Sequence, residues 1–151
     1  MDFDRKMKPK ILVSACLTGE PVRYDGKDKN TISELLKLKE KYDIIPICPE
    51  VMGGLPIPRP KSEINGDKVI NIIGKDVTQN FKEGAEKALQ LAKENKVLFA
   101  LLKQSSPSCG TKTIYNGNFE NVKVSGMGVT AKLLFENGIT VYSEEDIENL
   151  C

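Results

Sequence analysis

Three cysteines lie where apolar segments of the sequence break into loops. They are Cys16 in VSACLTG, Cys48 in PICPEVMGG and Cys109 in SSPSCGT. Each follows a segment with the composition of a buried strand, so we expect each thiol in a loop just beyond a strand end. Thiolates are soft ligands that favour zinc, copper(I) or an iron–sulfur cluster. Three thiolates alone leave such a centre one ligand short, and an open position is where a substrate can bind.

Each of these cysteines has a simpler interpretation, because an unpaired cysteine is often only a small buried hydrophobic residue. That alternative stays open for any one of them taken alone. The shared pattern favours a metal centre, since all three lie in loops that contain Gly or Pro. A structural zinc site or a [4Fe-4S] cluster normally has four protein ligands. The fourth cysteine, Cys151, follows a predicted helix and is predicted to be incidental.

The 151 residues are typical of one compact domain, which we assign to 1–151 with 1–9 as a flexible N-terminal tail. The net charge of +1 provides no broad attraction for nucleic acid or anionic membranes. Apolar runs are too short for a membrane span or a signal peptide, so we expect a cytoplasmic protein with no membrane partner. In a reducing compartment, cysteines indicate metal binding or catalysis rather than disulfides. The sequence does not indicate an oligomeric state.

The sequence contains no histidine. This excludes His-containing zinc sites and the Ser-His and Cys-His pairs of nucleophilic enzymes. Any proton transfer must therefore use Glu, Asp, Lys, Tyr or Ser.

Glu50 is the first candidate for proton transfer, because it lies two residues after Cys48. A carboxylate beside a metal centre is suited to act as a general acid or base. The alternative is an ordinary loop glutamate that pairs with Arg59 or with a lysine.

Three serines, Ser105, Ser106 and Ser108, surround Cys109. A hydroxyl at this place can position a substrate or pass a proton. Serine is also common in loops because it bonds to the backbone, and this interpretation is favoured for at least two of the three.

Two cations and two glycine pairs are further candidates for contact with a ligand. Lys103 and Arg59 can hold an anion or the polar edge of a ligand, although either can be a simple solvated charge. Gly53-Gly54 would let backbone N–H groups approach a metal centre or a substrate. The Gly126-x-Gly128 sequence before a predicted helix can bind an anion, but close packing is the favoured explanation.

The elements that must position these residues follow from apolar periodicity. It predicts strands over 10–15, 43–47, 97–102 and 139–142, and helices after a capping box at 31–34, over 78–95, over 126–137 and after Ser143. A hairpin or edge strand is predicted at 65–73, and a hairpin or flexible flap at 111–123. A polar loop is predicted at 19–26, and a loop without regular structure at 49–60, which contains four prolines. This order predicts an α/β fold, a three-layer Rossmann-like domain with a mostly parallel sheet and a small hairpin insertion. Parallel strands would bring the three thiols to one sheet edge, where ligands bind in such folds.

The motifs VSACLTGEPVRYDG, CPEVMGGLPIPRPKSEI, GKDVTQNFKEGA, LLKQSSPSCG and GVTAKLLFENGI resemble those of the thiouracil desulfidase family, long catalogued as a domain of unknown function. The resemblance extends from about Lys10 to about Glu145. It implies a [4Fe-4S] cluster with three Cys ligands, Cys16, Cys48 and Cys109, and one open iron that takes the sulfur of a thiolated pyrimidine.

The resemblance also implies that Glu50 and Ser106 are catalytic. Beside them, Ser105, Lys103 and Arg59 are our candidates for substrate binding. The implied reaction is a non-redox hydrolysis of a thiouracil or thiouridine type of substrate, which gives the carbonyl product and hydrogen sulfide through a cluster-bound sulfur.

The substrate is expected to be a small thiolated pyrimidine, with a base, a nucleoside, a nucleotide and tRNA left open. Two other functions also stay open. One is a non-catalytic iron–sulfur sensor or sulfide-binding module, and the other is a zinc-stabilised α/β domain that binds a partner.

Overall fold

The computed structural model of this chain describes residues 8–18 and 32–149. Its elements, in chain order, are β1 (Lys10–Ser14), α1 (Ile32–Lys41), β2 (Asp43–Ile47), α2 (Pro49–Met52), β3 (Ser62–Asn65), β4 (Lys68–Asn71), α3 (Thr78–Glu94), β5 (Phe99–Leu102), β6 (Thr113–Tyr115), β7 (Lys123–Ser125), α4 (Val129–Glu136) and β8 (Thr140–Ser143). Short 3-10 helices, Ala15–Thr18 and Glu144–Asn149, follow β1 and β8. The predicted loop at 19–26 and the start of the capping box at Thr31 lie outside the described residues, as do Cys151 and most of the predicted tail.

The central sheet has the strand order β2–β1–β5–β8, and every neighbouring pair is parallel. Successive residues of a strand point to opposite faces, and the packing of β1 follows this rule. Leu12 packs on the side of α3 and α4, whereas Ile11 and Val13 pack on the side of α1. The sheet therefore lies between two helical layers, which confirms the predicted three-layer α/β fold. Among the described residues, no helix has the length and apolarity that a membrane span requires.

Both predicted hairpins are present as antiparallel pairs, β3–β4 and β6–β7. The first packs on α3 through Val69 and Phe81. The second is tied to the first by Glu63, whose Oε1 accepts the N–H groups of Gly117 at 2.9 Å and Phe119 at 3.2 Å. The two hairpins thus form one layer beside the carboxyl ends of the sheet strands.

The prediction that 49–60 has no regular structure is wrong at its beginning, where α2 forms one helical turn. Proline is tolerated in the first turn of a helix, because the N–H that it lacks has no partner there. Two further predicted elements begin later than expected, with β5 starting at Phe99 and α4 at Val129.

Helix α2 lies against α3 with no room for a side chain between the two backbones. A Cβ on Gly84 would overlap the carbonyl oxygen of Pro49, and a Cβ on Gly53 would overlap that of Asn80. These two glycines therefore set the distance between α3 and the short helix that follows Cys48.

Gly84→Ala is expected to lower the free energy of unfolding by about 1–3 kcal/mol, because the added methyl group must push α2 away from α3. At a solvent-exposed position of a helix, Gly→Ala would instead stabilise the protein. A decrease in stability therefore indicates that the added methyl group meets α2. Urea unfolding measures this change in the free energy of unfolding. Glu86→Ala, at an exposed position of α3, is the control and should change the value by less than about 0.5 kcal/mol. Unchanged or increased stability of Gly84→Ala would contradict the observed packing.

Candidate active site

The three cysteines meet at the carboxyl edge of the sheet. Cys48 directly follows β2, Cys16 lies in the 3-10 helix after β1, and Cys109 lies in the loop after β5. Because β2, β1 and β5 are neighbouring parallel strands, their ends lie side by side. All three cysteines line one cavity of about 240 Å³. The convergence expected from the topology is therefore observed.

The same cavity is lined by the other polar and charged candidates from the sequence: Glu50, Arg59, Lys103, Ser105, Ser106 and Ser108. The hairpin layer contributes a further part of its wall, from Lys61, Glu63, Tyr115, Asn121 and Lys123. Sequence reasoning did not select these hairpin residues, because the sequence of a polar hairpin does not indicate which part of the protein it packs against.

The side chains of Cys16 and Cys109 are buried, and that of Cys48 is partly buried. The pKa of Cys109 is raised to about 12, mainly by burial and to a smaller extent by the neighbouring Cys16 and Cys48, while the nearby Ser14 and Ser108 hydroxyls act to lower it. Burial is also the main reason why the pKa of Cys48 is raised. Thiols must lose their protons to bind metal, so loading of this site releases protons.

The donor set fits an iron–sulfur cluster, because thiolates are the usual ligands of its irons. Among residues 8–18 and 32–149, no three His, Cys, Asp or Glu side chains are grouped closely enough to hold one metal ion. A zinc ion requires all its ligands around one centre, whereas each cysteine of a cluster binds a different iron. Three thiols that line one cavity are therefore ligands of the type that a cluster takes.

The cluster-free protein is expected to lose stability as pH rises from about 9 toward about 12. In this interval Cys109 ionises in the unfolded chain but keeps its proton in the fold, so the folded state binds more protons and the free energy of unfolding falls. This thiol contributes at most about 1.4 kcal/mol per pH unit. Anaerobic urea unfolding between about pH 8.5 and about pH 10.5 measures the slope. Cys109→Ala should flatten it, and an equal or steeper slope in that variant would contradict the assignment.

Glu50 lies in the first turn of α2, and both of its carboxylate oxygens have partners. Oε1 accepts a hydrogen bond from Arg59 Nε at 2.9 Å, and Oε2 accepts one from Ser108 Oγ at 3.2 Å. The pairing with Arg59, considered above as an alternative to a catalytic role, therefore occurs inside the cavity. These two bonds hold the carboxylate in one orientation beside the cysteines.

Ser106 and Ser108 connect the cysteine loop to Glu50. Ser106 Oγ accepts the N–H groups of Ser108 and Cys109, each at 3.1 Å, and lies 3.0 Å from Ser108 Oγ. A hydroxyl has two acceptor positions and one hydrogen, so the hydrogen of Ser106 is left to be donated to Ser108. Ser108 in turn donates to Glu50 Oε2. Ser106 thus makes the turn bonds expected of a loop serine and also begins a chain of hydroxyls that ends on Glu50.

The two remaining substrate-binding candidates have protein partners. Lys103 Nζ forms an ion pair with Glu144 Oε2 at 3.1 Å and donates to the carbonyl of Gln104 at 2.9 Å. Ser105 Oγ lies 2.9 Å from Thr113 Oγ1. Both side chains line the cavity, and their roles toward a substrate stay predictions.

Sequence reasoning missed Gln104, which holds the cysteine loop in shape. Its buried Oε1 accepts backbone N–H groups from four residues of the segment 105–113, at distances of 3.0 to 3.2 Å. It also missed Ser14, whose Oγ accepts the N–H of Lys103 at 2.9 Å and joins β1 to the end of β5. The one feature of the sequence that could have indicated Gln104 and Ser14 is that each is a polar residue at the end of an apolar strand.

The expectation that Gly53 and Gly54 direct backbone N–H groups at a ligand is wrong. Gly53 N–H bonds to the carbonyl of Pro49, and Gly54 N–H to that of Val51, each at 2.9 Å. These bonds end helix α2, so the glycines serve the helix rather than the cavity.

Close packing also explains Gly128, as favoured above. A Cβ there would stand 2.5 Å from the carbonyl carbon of Ser108. The first amides of α4 donate to the cysteine loop, with Val129 bonding to Pro107 at 2.9 Å and Thr130 to Ser108 at 2.8 Å. The start of α4 is therefore occupied by the loop rather than by an anion.

Comparison with known proteins agrees with this geometry. The sequence pattern of the 2-thiouracil desulfurase family matches residues 11–146. The chain belongs to this family. The matched range includes all three cysteines together with Glu50 and Ser106, so the candidate site lies within the region that defines the family.

Two relatives of this family member illustrate the similarity. It is 48% identical to the [4Fe-4S]-dependent thiouracil desulfidase TudS, with a TM-score of 0.87 over 95% of each chain. It is 39% identical to the uncharacterized protein YbbK of Bacillus subtilis strain 168, over 93% of this chain and 99% of YbbK. The fold and length are thus shared with a desulfidase of known structure.

Proposed function

We propose that this chain is a [4Fe-4S]-dependent desulfidase that removes sulfur from a thiolated pyrimidine by non-redox hydrolysis. The observation that carries the proposal is the shared cavity of Cys16, Cys48, Cys109 and Glu50 at the carboxyl edge of the sheet. The similarity to TudS supports both the cofactor and the class of substrate.

The three cysteines are the proposed ligands of the cluster. A cluster held by these three cysteines would have one iron without a protein ligand, and it would supply Lewis acidity toward the thiocarbonyl sulfur. Cys16 and Cys109 are buried and Cys48 is partly buried, and the Ser14 hydroxyl provides a hydrogen bond to the Cys109 sulfur. Such outer bonds orient ligands and tune the metal centre.

Glu50 is the proposed general base and acid. Its carboxylate takes a proton from the water that attacks the ring carbon, and Arg59 and Ser108 hold it in place for this step. The serine chain gives the carboxylate a connection to Ser106, which lies beside the proposed ligand Cys109. Ser106 donates to Ser108 and so keeps the Ser108 hydroxyl directed at Glu50, and the proton that Glu50 takes from water is the one that it returns to the departing sulfur.

The reaction balances without an electron donor. The oxygen of water forms a bond to the ring carbon as the carbon–sulfur bond breaks, and both protons of the water leave on sulfur as hydrogen sulfide. The product is the carbonyl form of the pyrimidine. The chain therefore needs proton-transfer groups, which the cavity contains, and no redox partner.

The test is sulfide release by anaerobically reconstituted protein from 2-thiouracil and from 4-thiouridine, measured separately. We expect a brown protein that bleaches in air and forms one sulfide for each carbonyl product. Iron and bound sulfide without turnover on either substrate or on thiolated tRNA would favour a sensor or sulfide-binding module. A colourless protein with stoichiometric zinc after anaerobic purification would favour a zinc-stabilised binding domain.

A further inference from the structure

Arg59 is almost completely buried, and its donors reach three different parts of the site. Its side chain is 3% exposed. Nε donates to Glu50 Oε1 at 2.9 Å, Nη1 donates to the carbonyl of Pro56 at 3.0 Å, and Nη2 lies 4.0 Å from the sulfur of Cys48. One guanidinium therefore connects a proposed base, a proposed cluster ligand and the loop that follows α2.

This arrangement differs from that of a cation that binds substrate. A binding arginine presents the paired donors of its fork to the ligand. Here Nε and Nη2, which belong to one edge of the guanidinium, are directed at Glu50 and Cys48. The third contact, to Pro56, anchors the group to the backbone.

We propose that Arg59 is a positioning residue, which fixes the Glu50 carboxylate relative to the Cys48 sulfur and places a positive charge beside that sulfur. This inference rests on the proposed function. The planar fork makes the two contacts at once, whereas a lysine ammonium is a single point charge on a flexible stem. The effects of the Arg59 charge and of its fork geometry can therefore be separated, because lysine keeps the charge without the fork and glutamine removes the charge.

The experiment compares Arg59→Lys and Arg59→Gln with the wild type, as anaerobically loaded full-length protein. Arg59→Lys should lower kcat for 2-thiouracil by about 10- to 100-fold, as expected for a displaced catalytic group, with KM changed less than about threefold. Cluster potentials depend on nearby charge and on hydrogen bonds to sulfur, so Arg59→Gln should also move the midpoint potential to a more negative value. Arg59→Lys keeps the positive charge, so its midpoint potential should shift less than that of Arg59→Gln.

Lys61→Gln is the matched control, because it removes one positive charge from the same cavity wall without touching the Arg59 contacts. Its potential should shift less than that of Arg59→Gln. A raised KM with unchanged kcat in Arg59→Lys would overturn the proposal in favour of substrate binding. An equal potential in Arg59→Gln and wild type would overturn the assigned contact with Cys48. Variants that melt normally without cluster but take up no iron would overturn the role at Glu50.

The outcome is separable from that of the proposed function. If loaded wild-type protein releases no sulfide from any thiolated pyrimidine, the proposed function fails. The midpoint potentials remain measurable in that case and still decide whether Arg59 acts on the Cys48 side of the site.

Discussion

Glu50→Gln is expected to lower kcat for sulfide release by about 10²–10⁴-fold, the usual contribution of a positioned general acid or base. Glutamine keeps the size of the side chain and an oxygen that accepts from Arg59, so the local packing should survive. It cannot take a proton from water. Sulfide release from 2-thiouracil measures the effect, with iron content determined on the same sample.

A second buried carboxylate in the same cavity provides the control. Glu63 accepts two backbone N–H groups of the β6–β7 hairpin through Oε1, and Glu63→Gln can keep both bonds. We expect this variant to retain kcat within about threefold, since it lies outside the hydroxyl chain. Normal turnover by Glu50→Gln with a full complement of iron would show that the base has been assigned to the wrong residue.

Cys109→Ala is expected to reduce bound iron from about four atoms per chain to almost none, and with it all sulfide release. Two thiols remain in the cavity of this variant, and two ligands hold a four-iron cluster too weakly to survive purification. Iron and acid-labile sulfide, measured after anaerobic reconstitution, give the result.

The fourth cysteine supplies the comparison for this experiment. Cys151→Ala should bind as much iron as the wild type, because the cluster is assigned to Cys16, Cys48 and Cys109. If Cys151→Ala also loses its iron, the cluster has four cysteine ligands, and the open position required for catalysis is absent.

The position of the three cysteines could be predicted from the sequence because it depends on topology alone. Strands that end at Ser14, Ile47 and Leu102 are parallel neighbours, so the loops that follow them share one edge. Strand composition and the alternation of strands with helices are sufficient for this step.

The contacts inside the site could not be predicted in the same way. The bond from Ser108 to Glu50 joins residues 58 positions apart, and its existence depends on how far α2 is displaced toward the loop after β5. That displacement is fixed by the contact between Gly84 and Pro49, which no local pattern reveals. The role of Gln104 was hidden for a related reason, since its partners are backbone groups that any sequence would provide.

The hydrogen bonds that hold the Cys109 loop against α4 have a consequence for reloading of the cysteine site. Amides of Val129 and Thr130 fasten the loop from one side, and the Gln104 amide fastens it from the other. None of these bonds involves the proposed cluster. We therefore expect the protein to keep this loop in shape when the proposed cluster is absent, so that the cysteine site can be reloaded without unfolding of the chain.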